Sequence, residues 1–233
     1  MPEEILETEP HYVGHRDRLR ERFTNAGPAA LQDYEILELV LFSIIPRKDV
    51  KPLAKQLLMR FGGLLGVMSA SIDDLKNVDG LSENSAVQLK AVHALTQRML
   101  VEEIRKKDVL NSWQALLDYC RVSMAHEPRE QFRVLYLDRK NQLIKDEVKQ
   151  VGTVDHVQVY PREVVRRAIE LSASAIILVH NHPSGDPTPS QADIAMTREL
   201  IAAARTLEIT VHDHIIIGRD GHTSFKARGL VEF

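Results

Sequence analysis

The chain has 233 residues, 44% of them hydrophobic and 27% charged, which is globular composition and excludes disorder and fibrous repeats. Thirty Lys and Arg against 33 Asp and Glu leave a net charge of -3, so the molecule as a whole lacks the basic footprint of a dedicated nucleic-acid binder. A single cysteine, Cys120, excludes intrachain disulfides and multi-thiolate metal sites, and no apolar run reaches the roughly 20 residues that span a bilayer. A cytoplasmic protein with no membrane contact is expected, and the acidic stretch before Gly14 lacks the pattern of a signal peptide.

Residues 1–13, with four glutamates and two prolines, are expected to form a flexible tail. From residue 14 to 107 the texture is helical. Leu19 and Phe23 share one face, Asp33 opens an apolar helix that stops at Pro46, and Val50 to Phe61 forms a third that ends at Gly62-Gly63. Ser71 and Asp74 have capping spacing ahead of Leu75, and a long helix follows Gly80 toward Arg105-Lys106-Lys107. No strand-like alternation occurs in this half.

From residue 108 to 233 the period changes. Ser112 is expected to cap a helix through Leu116 and Tyr119. Phe132–Leu137 and Gln142–Val148 flank the turn-like Asp138–Asn141 and predict a β-hairpin. Pro161 opens a helix, and Ala175–Val179 is a solid apolar run of the kind buried on both faces of a sheet. A Pro-rich loop, a helix from Ser190 to Arg205 and a strand from Ile209 to Ile217 complete the order, with Asp220-Gly221 as a turn.

The loop carries the chemistry. His180 and His182 leave a buried strand two residues apart, which directs both imidazoles to one side. Asp193 enters from the first turn of the next helix. Two nitrogens and a carboxylate oxygen form an open tetrahedral shell, suited to one Zn2+ per chain and to several other borderline cations. Zinc lowers the pKa of bound water toward about 7, the property a hydrolytic site needs. The competing reading of Ser190 and Asp193 is an ordinary helix cap, since Ser-x-x-Asp is also an N-terminal capping pattern. His212-Asp213-His214 places two histidines on one face of a regular strand and the aspartate on the other. Its expected role is to support the first cluster, with Asp213 or His214 orienting a ligand imidazole. His222 is expected to be an exposed turn residue.

His-x-His, seven residues, Ser, two residues, Asp resembles the signature of the JAMM (MPN+) metalloproteases, and the longer string HNHPSGDPTPSQAD resembles the RadC family. The resemblance runs through PREVVRRAIELSASAIILV, VHDHIIIG and REQFRVLYLD and covers essentially residues 14–225. It implies an α/β fold: an all-α helix-hairpin-helix-like domain followed by a mixed β-sheet flanked by helices, like the cytidine-deaminase group. It further implies a zinc-dependent metallohydrolase of amide or isopeptide bonds, with His180, His182 and Asp193 on the metal. Glu130 takes the position of the family's general acid/base, and Ser190 that of the oxyanion donor. The substrate, a peptide or isopeptide, is left open.

Leu75–Ser82 with Ala86 and Leu89 resembles a helix-hairpin-helix, although Ser82 replaces the usual second glycine and Glu83 opposes a phosphate. Up to residue 108 there are 15 Lys and Arg against 17 Asp and Glu, so DNA contact is left open rather than indicated. The alternative function is a DNA-associated repair or recombination accessory with the α/β domain as scaffold. A metal-free interaction module is opposed by the complete ligand set. A deaminase would need Cys-x-x-Cys, which one cysteine cannot supply.

Overall fold

The computed structural model describes residues 14–151 and 159–233; the acidic segment before Gly14 and His156 lie outside them. The chain divides into two compact units, Met1–His93 and Ala94–Phe233.

In the first unit the helices are α1 (His15–Ala26), α2 (Asp33–Ile44), α3 (Lys51–Phe61), α4 (Leu64–Ser69) and α5 (Ile72–Lys76), followed by the start of α6 (Glu83–Arg105). Leu19, Leu37, Leu41, Leu57, Leu75 and Leu89 sit in one core. Gly62 closes α3 with φ +74, in the left-handed region the sequence requires there. Helix α4, six residues long, carries no amphipathic pattern of its own and follows directly on that glycine pair. The basic run of α1 is largely absorbed by structure. The Arg16 guanidinium donates to the carbonyls of Phe42, Ile45 and Lys48 at 3.2, 2.7 and 2.8 Å, Arg22 pairs with Glu35, and Arg20 pairs with Asp17.

The second unit contains the rest of α6, then α7 (Trp113–Met124), β1 (Gln131–Leu137), β2 (Leu143–Val151), α8 (Pro161–Glu170), β3 (Ala175–Asn181), α9 (Gln191–Arg205), β4 (Thr210–Ile217) and β5 (His222–Ser224). The strands form one mixed sheet in the order β2-β1-β3-β4-β5, with β3 and β4 parallel across the α9 crossover and the other pairs antiparallel. Period-two alternation sends Leu135, Leu137, Ile177 and Val179 to the face covered by α7. It sends Phe132, Val134, Ile176 and Leu178 to the face covered by α8 and α9. All seven residues of β3 are buried, as its unbroken apolar run predicts for a central strand.

Three local expectations need correction. Ser112 makes no side-chain cap on α7; the turn before it is held by Asp108 Oδ1, which accepts from the backbone N–H groups of Leu110 and Asn111. His222 is exposed but belongs to a strand, since the Asp220-Gly221 turn closes a β4–β5 hairpin that pairs it with Ile217. His212 and His214 do not share a face. The register passes from Ile176 opposite Val211 to Ile177 opposite Asp213, so a bulge at His212 resets the alternation.

Candidate metal centre

Strand β3 brings His180 to its end, and the His182 backbone N–H continues the parallel ladder by donating to the Ile217 carbonyl at 3.0 Å. The chain then turns tightly, with the Gly185 N–H on the His182 carbonyl at 2.9 Å. The end of β4 must let this loop pass. A Cβ on Gly218 would stand 2.2 Å from the Gly185 carbonyl oxygen, so only glycine fits there. The loop feeds the N-terminus of α9, where Ser190 and Asp193 form a reciprocal capping box. Asp193 N donates to Ser190 Oγ at 3.1 Å, and Ser190 N donates to Asp193 Oδ2 at 2.7 Å.

The result is a convergent group. His180 Nε2 lies 3.0 Å from His182 Nε2 and 3.3 Å from Asp193 Oδ1, and His182 Nε2 lies 3.6 Å from Asp193 Oδ2. The capping bonds of Asp193 therefore do not take it out of the convergent group. Its carboxylate anchors the helix start and also faces both imidazoles.

The hydrogen-bond chain behind these rings assigns their protons. Thr197 Oγ1 donates its one hydrogen to the Asp193 carbonyl at 2.6 Å, so its contact with His214 Nδ1 at 2.6 Å requires Nδ1–H of His214 to donate. His214 Nε2 is then bare and accepts from His180 Nδ1–H at 2.8 Å. His182 Nδ1–H donates to the Asp186 carbonyl at 2.8 Å. Both rings are left with an Nε2 lone pair directed at the other and at Asp193. Such a set repels itself unless a cation sits among its members, and three such donors suit a borderline metal ion.

The electrostatics agree. Burial pushes His180 down to about 4, against the pull of Asp193, and burial holds His214 well below the ordinary histidine value, so both are neutral. The Asp193 carboxylate raises His182 and the nearby Glu130 charge adds to the effect, so a proton on His182 Nε2 is the alternative to a cation between that nitrogen and Asp193. Burial would raise the Asp193 carboxyl, but the His182 and His180 rings beside it and the Ser190 donors together hold it well below the usual carboxylate range. Phe132 stacks on His180 with ring centroids 6.2 Å apart and Phe225 on His214 at 4.5 Å, which keeps this proton chain dry.

Of the sequence-derived residues, His180, His182, Ser190 and Asp193 come together. Glu130 is half-buried one residue before β1, close enough for its charge to act on His182. Of the support candidates, His214 contacts the His180 imidazole. Asp213 instead accepts from the His214 N–H at 2.7 Å and the Lys226 N–H at 2.9 Å, and His212 bonds Asn141 at 2.8 Å. Two residues were not anticipated. Thr197 stands one turn after Asp193, a spacing that signals a shared helix face. Asn181, fully buried between the two histidines, accepts from the Gln131 N–H at 2.8 Å and donates to the carbonyls of Arg129 and Glu127 at 3.2 and 3.3 Å. It therefore straps the segment that carries Glu130. Nothing in its local pattern announces this, because its partners lie about 50 positions away.

The RadC-like JAB domain family matches residues 110–230, more than half of the chain and the whole convergent site. The chain belongs to this family. A second family, described as UPF0758 N-terminal, matches residues 12–87 in the helical unit. In this RadC-like chain the matched regions fall on either side of the middle of α6.

Proposed function

We propose that this RadC-like domain is a zinc-dependent metallohydrolase that cleaves an amide bond of a peptide or isopeptide with an activated water. The observation that supports it best is the pair of bare Nε2 atoms facing one carboxylate, with their tautomers set by the Thr197–His214 chain and the Asp186 carbonyl. His180, His182 and Asp193 would hold one Zn2+. Bound there, zinc supplies a Lewis acid and brings the pKa of water toward about 7.

The chain's own residues supply the rest. Glu130 accepts the proton of the attacking water and returns it to the leaving nitrogen, a shuttle suited to a carboxylate held beside the site. Asn181 keeps Glu130 in place through its three backbone bonds. Ser190 Oγ donates to Asp193 Oδ2 at 2.6 Å, so it orients the carboxylate at rest and donates to an oxyanion only by swinging its proton away.

The test is elemental analysis of the purified protein beside His182→Ala and Asp193→Ala. About one zinc per chain, lost in both variants, is the expected result. With Glu130→Gln, metal content stays and hydrolysis of amide substrates is abolished; undiminished turnover removes Glu130 from the mechanism.

The alternative, a DNA-associated accessory, rests on α5, the turn through Gly80 and α6. There Ser82 Oγ accepts from the Ser85 N–H at 3.1 Å, and Glu83 stands in the first turn, paired with Lys76 at 3.0 Å. That helix start has its Ser85 donor already engaged and sets the Glu83 carboxylate against an incoming phosphate, so the hydrolase reading is the better supported.

A further inference from the structure

A polar cavity of about 520 Å³, open to solvent, lies in the unit Ala94–Phe233 and is within the size range of small-molecule sites. Its walls carry Gln97, Arg98 and Arg105 from α6, Tyr119 and Ser123 from α7, and Arg133 from β1. Arg133 alternates with Phe132 along β1, so its side chain leaves the opposite face of the sheet from the ring that stacks on His180.

The Arg133 guanidinium is used on one side only. Nη1 donates to Asp146 Oδ2 at 2.7 Å and to Tyr119 Oη at 3.1 Å, while Tyr119 donates to the same carboxylate. The other edge, Nε with Nη2, has no acceptor among the described residues, although the side chain is only 17% exposed. That edge is the flat fork that takes two oxygens of one anion. Asp146 neutralises the charge of Arg133 without filling this edge.

The neighbours extend the same chemistry. Along the last turns of α6, Lys106 and Lys107 pair with Glu102 and Glu103 at 4.0 and 2.7 Å. Arg98 and Arg105, two turns apart on the face that lines the cavity, have no acidic partner among the described residues. Ser123, 4% exposed, lines the cavity with a hydroxyl that likewise makes no hydrogen bond among the described residues. The one acid on the wall, Glu102, has Lys106 as its counter-ion.

We propose that this cavity binds a phosphate-bearing small molecule, with the Nε/Nη2 edge of Arg133 on the phosphate and Arg98, Arg105 and Ser123 around it. Guanidinium groups from β1 and α6 and a hydroxyl from α7 approach from three directions, which suits a tetrahedral, multiply charged oxyanion better than a planar carboxylate. The volume leaves room beyond the phosphate for the group that carries it. Standing on the far face of the sheet, the site does not depend on the metal reading.

The test is calorimetric titration of the full-length protein with inorganic pyrophosphate at constant ionic strength. It is repeated on His182→Ala, so that chelation at the metal centre cannot contribute, and with citrate as a carboxylate control. Saturable binding of pyrophosphate in both proteins, with citrate weaker, is expected. The Arg98→Gln/Arg105→Gln double variant, which alters only exposed side chains, should bind about tenfold more weakly or worse, as the loss of two charge-assisted contacts implies. Arg133→Lys keeps the charge opposite Asp146 but removes the fork and should weaken binding with circular dichroism unchanged. Absence of saturable binding overturns the proposal, as does an affinity unchanged in the double variant or citrate binding as tight as pyrophosphate.

Discussion

Thr197 shows how a residue outside the convergent group can set the protonation of one inside it. Its single hydroxyl proton goes to the Asp193 carbonyl, which forces His214 and then His180 into the tautomers that leave Nε2 of His180 bare. Thr197→Val keeps the shape and removes the acceptor. Zinc affinity should fall about 10–100-fold, the usual effect of removing an outer partner of a metal-bound imidazole, while Thr197→Ser retains it. A competition titration against a chelator reads this directly, and equal affinity in the valine variant would dismiss the chain. Asn181 acts on the other arm of the site. Asn181→Ala frees a backbone N–H and two carbonyls of the Glu127–Gln131 segment, so stability should drop by about 1–3 kcal/mol. Turnover should fall further than that loss explains, with zinc content unchanged; if metal leaves along with activity, Asn181 supports the ligands rather than Glu130.

At the scale of elements, helix α9 serves the site twice. Its N-terminus carries Asp193, and its second turn carries Thr197. The capping box at Ser190 therefore couples helix stability to the orientation of the Asp193 carboxylate. Ser190→Ala should cost about 0.5–2 kcal/mol in denaturant unfolding of the metal-free protein, the range for a lost serine cap. It should also weaken zinc binding, because Asp193 Oδ2 loses its hydroxyl donor. A stability loss with zinc affinity intact would assign Ser190 to the helix alone. Strand β4 shows the complementary effect of a single inserted residue. The bulge at His212 turns its ring away toward Asn141 and leaves His214 to reach His180, a division of labour that a regular strand forbids.

For the whole molecule, acid stability has a definable origin on the β2–α8 side of the sheet. Glu147 accepts from Arg167 at 2.6 and 2.9 Å and from Lys149 at 2.7 Å, and these hydrogen bonds, Arg167 first, lower its carboxyl to about 2 despite partial burial. A carboxyl held lower in the folded than in the unfolded chain stabilises the fold fully above its unfolded value near 4.5. That contribution disappears as the pH falls toward 2. Acid unfolding followed by circular dichroism should therefore shift to higher pH in Arg167→Gln, with little change in stability difference between pH 7 and pH 6. An unshifted acid midpoint would show that the pair contributes nothing.

Much of this protein was legible in its sequence because the relevant physics is local. The change from helical to alternating periodicity separates an all-α half from an α/β half, the apolar run Ala175–Val179 marks a strand buried on both faces, and Gly62 marks where α3 must stop. His180, His182, Ser190 and Asp193 lie within 14 consecutive residues, so their grouping is carried by one loop and the first turn of one helix. What the tertiary structure alone decided depends on pairing across long separations. The choice of His214 over Asp213 follows from a bulge set by the register of β4 on β3. The place of Glu130 depends on an asparagine about 50 positions away, and the half-used Arg133 acquires its neighbours only when α6 and α7 pack on the sheet. Periodicity assigns a residue to a face of its own element; which group waits on the other side is settled only by how the elements pack.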